Sequence, residues 1–490
     1  MISATTNIYT PGPEALEKLS GQGTLVPIYR EIEADLETPV SAYLKVARGD
    51  YSFLLESVEG GERMARYSFI GTEPYRRLVT GPGQPDGDVD PLALVREEIE
   101  RHSVVSVPGL PRFHGGAVGY LAYEAMRHYE DIPSPDLDTL GIPEALFMFA
   151  DTLLVFDHIK HSIKVVSHVR LEDGDLSSAY HRATEKIDGL VDRLRQPIEP
   201  ALTALRGGPT PSYPIESNLT KEQHEDNVRV AKEYIQAGDI IQAVLSQRFS
   251  RKTDVHPFNI YRTLRRVNPS PYMFYLNMGG FQLVGASPEV LVRAEEGHLD
   301  YHPIAGTRPR GRDEDEDLAL ERELLADEKD RAEHIMLLDL GRNDIGRVSV
   351  PGTVQVTQLM DIERYSHVIH LVSHIQGKLR PGISPYDALW SCFPAGTVSG
   401  APKLRAMEII AELEPVKRGA YAGSVGYFSF SGNMDTCITI RTMVFRDGVA
   451  YVQAGGGIVA DSVPHLEYLE TVHKAGALMR AIDEAEARSW

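Results

Sequence analysis

Residues 425–457 read VGYFSFSGNMDTCITIRTMVFRDGVAYVQAGGG. Two turn signals divide this stretch, Ser431-Gly432-Asn433 and Asp447-Gly448. Aspartate–glycine between β-rich runs marks a hairpin, because both central residues of a type I′ turn take positive φ. The stretch therefore predicts three antiparallel strands. Residues 281–306, FQLVGASPEVLVRAEEGHLDYHPIAG, repeat the pattern, broken at Ser287-Pro288 and turned at Glu296-Gly297. Helical periodicity over about 318–340, 402–412 and 464–487 alternates with these hairpins. The expected fold class is α+β, with large antiparallel sheets packed by helices and the substrate site in the C-terminal half.

Working outward, residues 196–218 (QPIEPALTALRGGPTPSYPIESN) are rich in proline, glycine and serine and lack periodicity. They divide the chain into residues 1–205 and 215–490, as two domains or one large interlocked body. Leu146 to Val169 reads as two strands around a polar turn at Asp157 to Ser162. Thr220-Lys-Glu-Gln223 has capping-box spacing. Val228, Ala231 and Ile235 follow at helical intervals, and Gly238 is the expected stop.

The 490 residues carry a formal net charge of −20 and a pI near 5.3. Such a surface disfavours nonspecific nucleic-acid binding and anionic membranes, so any anion site must be made locally. Two cysteines, Cys392 and Cys437, exclude a disulfide framework and a cysteine zinc site. The N-terminus, MISATTNIYTPGPEAL, has no basic start or apolar core, and no apolar run approaches bilayer-spanning length. A cytoplasmic protein is expected.

Several residues stand out chemically. Glu333 lies where an acidic helix turns apolar, so its carboxylate is expected to point inward. Glu470 sits on the last helix, where a surface pair with Lys474 is the commoner reading. If the two converge, they suit Mg²⁺, a hard ion that binds oxygen. Gly455-Gly456-Gly457 after a strand lets backbone amides approach a ligand, although a strained strand end reads the same way. Gly396 to Lys403 (GTVSGAPK) departs from phosphate-loop spacing. His370, flanked by Ile369 and Leu371, reads first as a core histidine. Arg441, a charge within a β-rich run, needs a carboxylate from protein or ligand. Together these features indicate a small anionic substrate.

The motifs PYMFY (271–275), GASPE (285–289), HPIAGTRPRG (302–311), EHIMLLDLGRNDIGRV (333–348), YSHVIHLVS (365–373), GTVSGAPKLRAM (396–407) and QAGGGIV (453–459), with the Arg441 strand and the Glu470 helix, closely resemble the chorismate-binding enzymes. Within that family they resemble the anthranilate synthase component I group, and an anthranilate synthase-like fold is implied. The match covers most of residues 220–480. In the N-terminal half it is thinner, at LLES (54–57) and GGAVGYLAYE (115–124).

The resemblance implies a site. Glu333 and Glu470 would hold Mg²⁺ against the ring carboxylate of chorismate. Gly306, Thr307, Tyr421, Arg441 and the Gly455, Gly456 and Gly457 amides would contact substrate. Glu289 would be the general acid and His370 the base, with Thr397 in the catalytic set. Ser57, Pro271, Tyr272 and Met273 match a feedback pocket for L-tryptophan. Ala305 stands where aminodeoxychorismate synthases carry a lysine, and Gln242 where isochorismate and salicylate synthases do. The nearest alternative is aminodeoxychorismate synthase component I; an aminodeoxyisochorismate synthase and a silent amino-acid sensor are more distant. No glutaminase motif is present, so a separate glutamine amidotransferase subunit, and hence a hetero-oligomer, is implied. The acidic run after Arg308 would be the outer part of the Glu333 helix, its remaining carboxylates a solvated face.

Overall fold

The computed structural model describes residues 8–57, 66–172, 175–198, 213–365 and 368–487. Residues 1–7 of the N-terminus, 199–212 of the boundary segment, and Ser366-His367 of the YSHVIHLVS motif lie outside them. The turns take the φ signs that their residues favour. Asp447 and Gly448 stand at +51° and +74°, and Glu296 and Gly297 at +50° and +78°. Arg446 pairs with Val449 across the first turn and Glu295 with His298 across the second.

Among the described residues the strands form two antiparallel sheets of 12 and 10 strands, with helices packed on them. Both sheets draw strands from either side of residues 205–215. In the larger, Tyr51–Glu56 pairs with Tyr272–Met278, Leu54 opposite Tyr275. In the smaller, Gly116–Leu121 pairs with Ser424–Ser429, Gly119 opposite Gly426.

Residues 424–458 form four strands rather than three: Ser424–Ser429, Met434–Ile438, Thr442–Arg446 and Val449–Ile458. The chain leaves the smaller sheet at Ile438, turns through Arg441 at φ +51°, and enters the larger sheet at Thr442. Residues 145–170 likewise form three strands, because the chain changes sheets at Asp151. Neither corner is marked by a polar turn, since the strands on both sides are almost wholly buried. The corner at Ser287-Pro288-Glu289, legible from its proline, docks on the one at Arg441. Ala286 N–H donates to Arg441 O (3.0 Å), Ile438 N–H to Glu289 O (3.0 Å) and Ser287 Oγ to Ile438 O (2.7 Å).

The expected helix over 318–340 is two, Glu314–Ala326 and Glu328–Val348. Asp327 ends the first, and its carboxylate caps the second by accepting from Asp330 N–H at 3.0 Å. The Thr220/Gln223 capping box forms on Lys221–Ala237, and Gly238 closes that helix at φ +85°. The helices Lys403–Leu413 and Pro464–Glu486 lie where expected. Among the described residues no helix is long and apolar enough to cross a membrane.

Candidate active site

The paired corners and the C-terminal helix wall a cavity of about 720 Å³. Glu289, Gly306, Thr307, Glu333, His370, Thr397, Tyr421, Arg441, Gly455, Gly457 and Glu470 all line it, with Ala305 and Gln242. The glycine run lies inside a strand, not beyond its end. Lys474 Nζ donates to Gly455 O at 2.9 Å, so Gly455 faces the open edge and Gly457 shares that direction by the two-residue period. Gly456 instead sits behind Glu467 and Glu470. A Cβ there would lie 3.2 Å from Glu467 Oε2, and one on Gly457 would lie 2.2 Å from Gln242 Nε2. These glycines make room for the side chains of the site.

Glu289 is buried at the corner, and burial pushes its carboxyl up to about 8. The Thr397 hydroxyl, the Ile304 amide and the Lys474 ammonium offset part of that rise. Among the described residues Thr397 Oγ1 is a buried polar atom with no hydrogen-bond partner, so its hydroxyl acts on the carboxyl from beyond ordinary hydrogen-bond length. Burial pulls His370 below the usual histidine range. Its Nδ1 lies 3.1 Å from both Gly306 O, which only accepts, and the Thr307 hydroxyl, which can do either; a proton on Nδ1 satisfies both contacts and leaves Nε2 as the base. Gly306 sits at φ +66° in a bulge, where a Cβ would meet Leu324 Cδ1 at 2.8 Å.

Glu333 is raised by burial and by its neighbours Glu470 and Asp330, against the opposing Gln242 and Lys474. Gln242 Nε2 donates to Glu333 Oε1 at 3.3 Å, while Gln242 Oε1 is buried with no partner among the described residues. An all-oxygen donor set of mutually repelling carboxylates fits a hard divalent cation such as Mg²⁺. Glu470 makes the expected pair with Lys474 at 2.7 Å and still faces the cavity. Burial lowers the Arg441 guanidinium, which donates to Lys474 O at 2.7 Å. It has no carboxylate in ion-pair range among the described residues.

The acidic run is more than a solvated face. Arg308 is gripped by Glu323 at 2.8 Å, Asp327 at 3.1 Å and Asp330 at 2.9 Å, and Arg310 by Asp317 at 3.0 Å. Buried Glu321 pairs with Arg364. The carboxylates therefore fix the loop beside the cavity. Lys474 and Glu467 are cavity residues outside the expected set; their i+4 and i−3 spacing from Glu470 was the available signal. Lys403 of the phosphate-like loop is held by buried Asp344 at 2.8 Å. Both cysteines are buried, and burial pushes both thiols up.

A second cavity contains Ser57, Pro271, Tyr272 and Met273, brought together because Glu56 pairs with Met273. Tyr272 OH donates to Asp435 Oδ1 at 2.9 Å, and Arg112 pairs with Asp435 at 3.2 Å. Tyr67, Phe69 and Tyr427 add aromatic walls.

A sequence profile described as "chorismate binding enzyme" matches residues 50–480. The anthranilate synthase component 1 of Acetivibrio thermocellus is 48% identical over 492 residues, covering 98% of this chain and 99% of the relative. That of Pseudomonas putida is 50% identical over 479 residues, covering 95% and 96%. The crystal structure of anthranilate synthase component I from Streptococcus pneumoniae TIGR4 superposes with a TM-score of 0.78 at 39% identity, covering 92% of this chain and 99% of that one.

Proposed function

The chain belongs to the chorismate-binding enzymes, and from that premise we propose that it is the aminating large subunit of an anthranilate synthase. It is an enzyme of the lyase type acting on chorismate. The proposed reaction consumes chorismate and ammonia and yields anthranilate, pyruvate and water. One observation carries this reading: a single cavity combines a protonated buried acid, a neutral histidine, a carboxylate pair and an arginine with no ion-pair partner among the described residues.

Arg441 would receive the enolpyruvyl carboxylate, which relieves the cost of its buried charge. Tyr421, Thr307 and the edge amides of Gly455 and Gly457 would orient the ring. Glu333 and Glu470 would hold Mg²⁺, which when bound anchors the ring carboxylate. Glu289, still protonated at neutral pH, gives its proton to the 4-hydroxyl, which leaves as water while the ammonia nitrogen bonds to C2. The added nitrogen sheds its surplus proton, His370 Nε2 takes the C2 proton as the bond from the ring to the enolpyruvyl oxygen breaks, and the departing enolpyruvate gains a proton at its methylene carbon to become pyruvate. The ring becomes aromatic.

Ammonia is supplied by glutamine hydrolysis in a separate amidotransferase subunit, so the working form is a cytoplasmic hetero-oligomer. The raised thiols of Cys392 and Cys437 support this, since neither suits a glutaminase nucleophile. The second cavity is the feedback site for L-tryptophan. Its aromatic walls suit the indole, while Arg112 and Asp435 offer partners for carboxylate and ammonium. In this division residues 1–205 supply one wall of that pocket and partner contacts, and residues 215–490 the chemistry.

The test is incubation of the purified chain with chorismate, Mg²⁺ and ammonium, following anthranilate fluorescence. A signal lost with EDTA and suppressed by tryptophan is expected. Chorismate consumed without anthranilate would replace this reading with an aminodeoxychorismate-type product.

A further inference from the structure

A fully buried arginine stands directly behind the cavity. Arg418 is 2% exposed, and its partner Glu414 is 5% exposed. Nε and Nη2 of Arg418 donate to the Glu414 carboxylate at 2.8 and 2.6 Å. Nη1 donates to Val398 O and Nη2 to Val244 O, both at 2.7 Å. The guanidinium carbon lies 4.8 Å from the Tyr123 ring centroid and 5.5 Å from that of Tyr421. Glu414 also accepts from Ser246 N–H and Oγ at 2.8 Å. Arg418 itself does not line the cavity, but Val244, Val398 and Tyr421 do.

We infer that Arg418 is a positioning residue of this active site, fixing the Val244 strand, the Gly396–Val398 turn and the Tyr421 ring to one rigid plane and so holding Thr397, the neighbour of Val398, in the cavity wall that it shares with Glu289. This rests on Glu289 being the general acid. Space behind a cavity is filled as well by apolar side chains, since a buried ion pair commonly gains no net stability over a hydrophobic replacement. A guanidinium adds five donors in a fixed plane, and here they reach three separate elements. Lysine has three donors on a rotating point charge and cannot hold all three.

The chemical consequence runs through Thr397, whose hydroxyl favours the charged form of Glu289. Releasing the turn withdraws that hydroxyl, and Glu289 then keeps its proton to higher pH. Arg418→Lys should lower kcat on the order of 10²-fold, the scale of a small misplacement of reacting groups. It should also move the alkaline limb of the rate profile, corrected for free ammonia, to higher pH. Thr397→Val should move the limb the same way, and adding Arg418→Lys to it should move it little further. A packing role alone would lower the melting temperature and leave the limb in place. Glu414→Gln serves as the second variant should Arg418→Lys not fold, with the same direction expected. An unmoved limb in a folded variant, or fully additive limb shifts, overturns the inference. If the unmutated chain makes no anthranilate, the function reading fails instead. The Glu289 midpoint is then read from the pH dependence of stability, where an unmoved midpoint in Arg418→Lys overturns the inference.

Discussion

Replacing Glu289 by glutamine should sharply reduce turnover and also make the protein increasingly more stable than the parent as pH rises. Burial lifts this carboxyl from 4.5 to about 8 in the folded chain. A folded value above the unfolded one means that the native state keeps a proton the unfolded chain has lost. Stability is therefore fully retained below 4.5, falls as pH climbs through the window to about 8, and levels off above it. Each pH unit inside the window costs about 1.4 kcal/mol, so about 3–4 kcal/mol disappears between pH 5 and pH 8 through this one group. Glutamine has nearly the same shape and does not ionise, so it removes the dependence. Urea unfolding of both proteins across that pH range reads the difference. The stability gap, variant minus parent, should widen by about 3 kcal/mol from pH 5 to pH 8. A gap that stays constant would refute a buried, protonated Glu289, whatever the variant does to turnover. The same variant should lose activity on the order of 10³-fold, the usual range for a general acid.

Glu470→Gln should weaken Mg²⁺ binding at least about tenfold by calorimetry with chorismate present, because one of two hard carboxylate donors is lost; unchanged affinity would remove Glu470 from the metal site. Gly306→Ala places a Cβ at φ +66° and 2.8 Å from Leu324. It should cost roughly 1–3 kcal/mol in thermal unfolding and raise the chorismate KM by shifting the carbonyl that holds His370; an unchanged melting temperature would contradict this. Asp435→Asn removes the charge that Tyr272 and Arg112 share. Tryptophan affinity should fall about tenfold, near 1.4 kcal/mol, with ammonia-dependent turnover little changed. Equal inhibition of parent and variant would place the inhibitor elsewhere.

Elements set by local chemistry were legible in advance. Asp447-Gly448 and Glu296-Gly297 needed positive φ, and the Thr220/Gln223 box needed only its own residues. The corners at Asp151 and Arg441 were not legible, because a strand leaving one buried sheet for another keeps its apolar run and shows no polar break. The split at Asp327 was hidden similarly: one aspartate both ends a helix and caps the next, so the periodicity reads through. The resemblance supplied the assignments of the site residues, and the fold gathers the catalytic, substrate and metal residues other than Gly456 around one cavity and Ser57, Pro271, Tyr272 and Met273 around a second. Lys474 and Arg418 were missed for different reasons. Lys474 is indistinguishable by spacing from an ordinary helix-surface partner. Arg418 lies in the polar stretch EPVKRGAY, where nothing local signals that a guanidinium will be buried against Glu414.

The larger sheet also bears on how the chain is made. The edge of Tyr51–Glu56 that receives Tyr272–Met278 has its partner about 220 residues downstream. At about 5–20 residues per second, a ribosome needs roughly 10–40 seconds to deliver that partner. During that interval the nascent N-terminal half presents an unpaired strand edge, the kind of surface that recruits other chains. Synthesis of this protein should therefore depend on chaperone cover early in translation, and separately expressed halves should each aggregate where the whole chain folds.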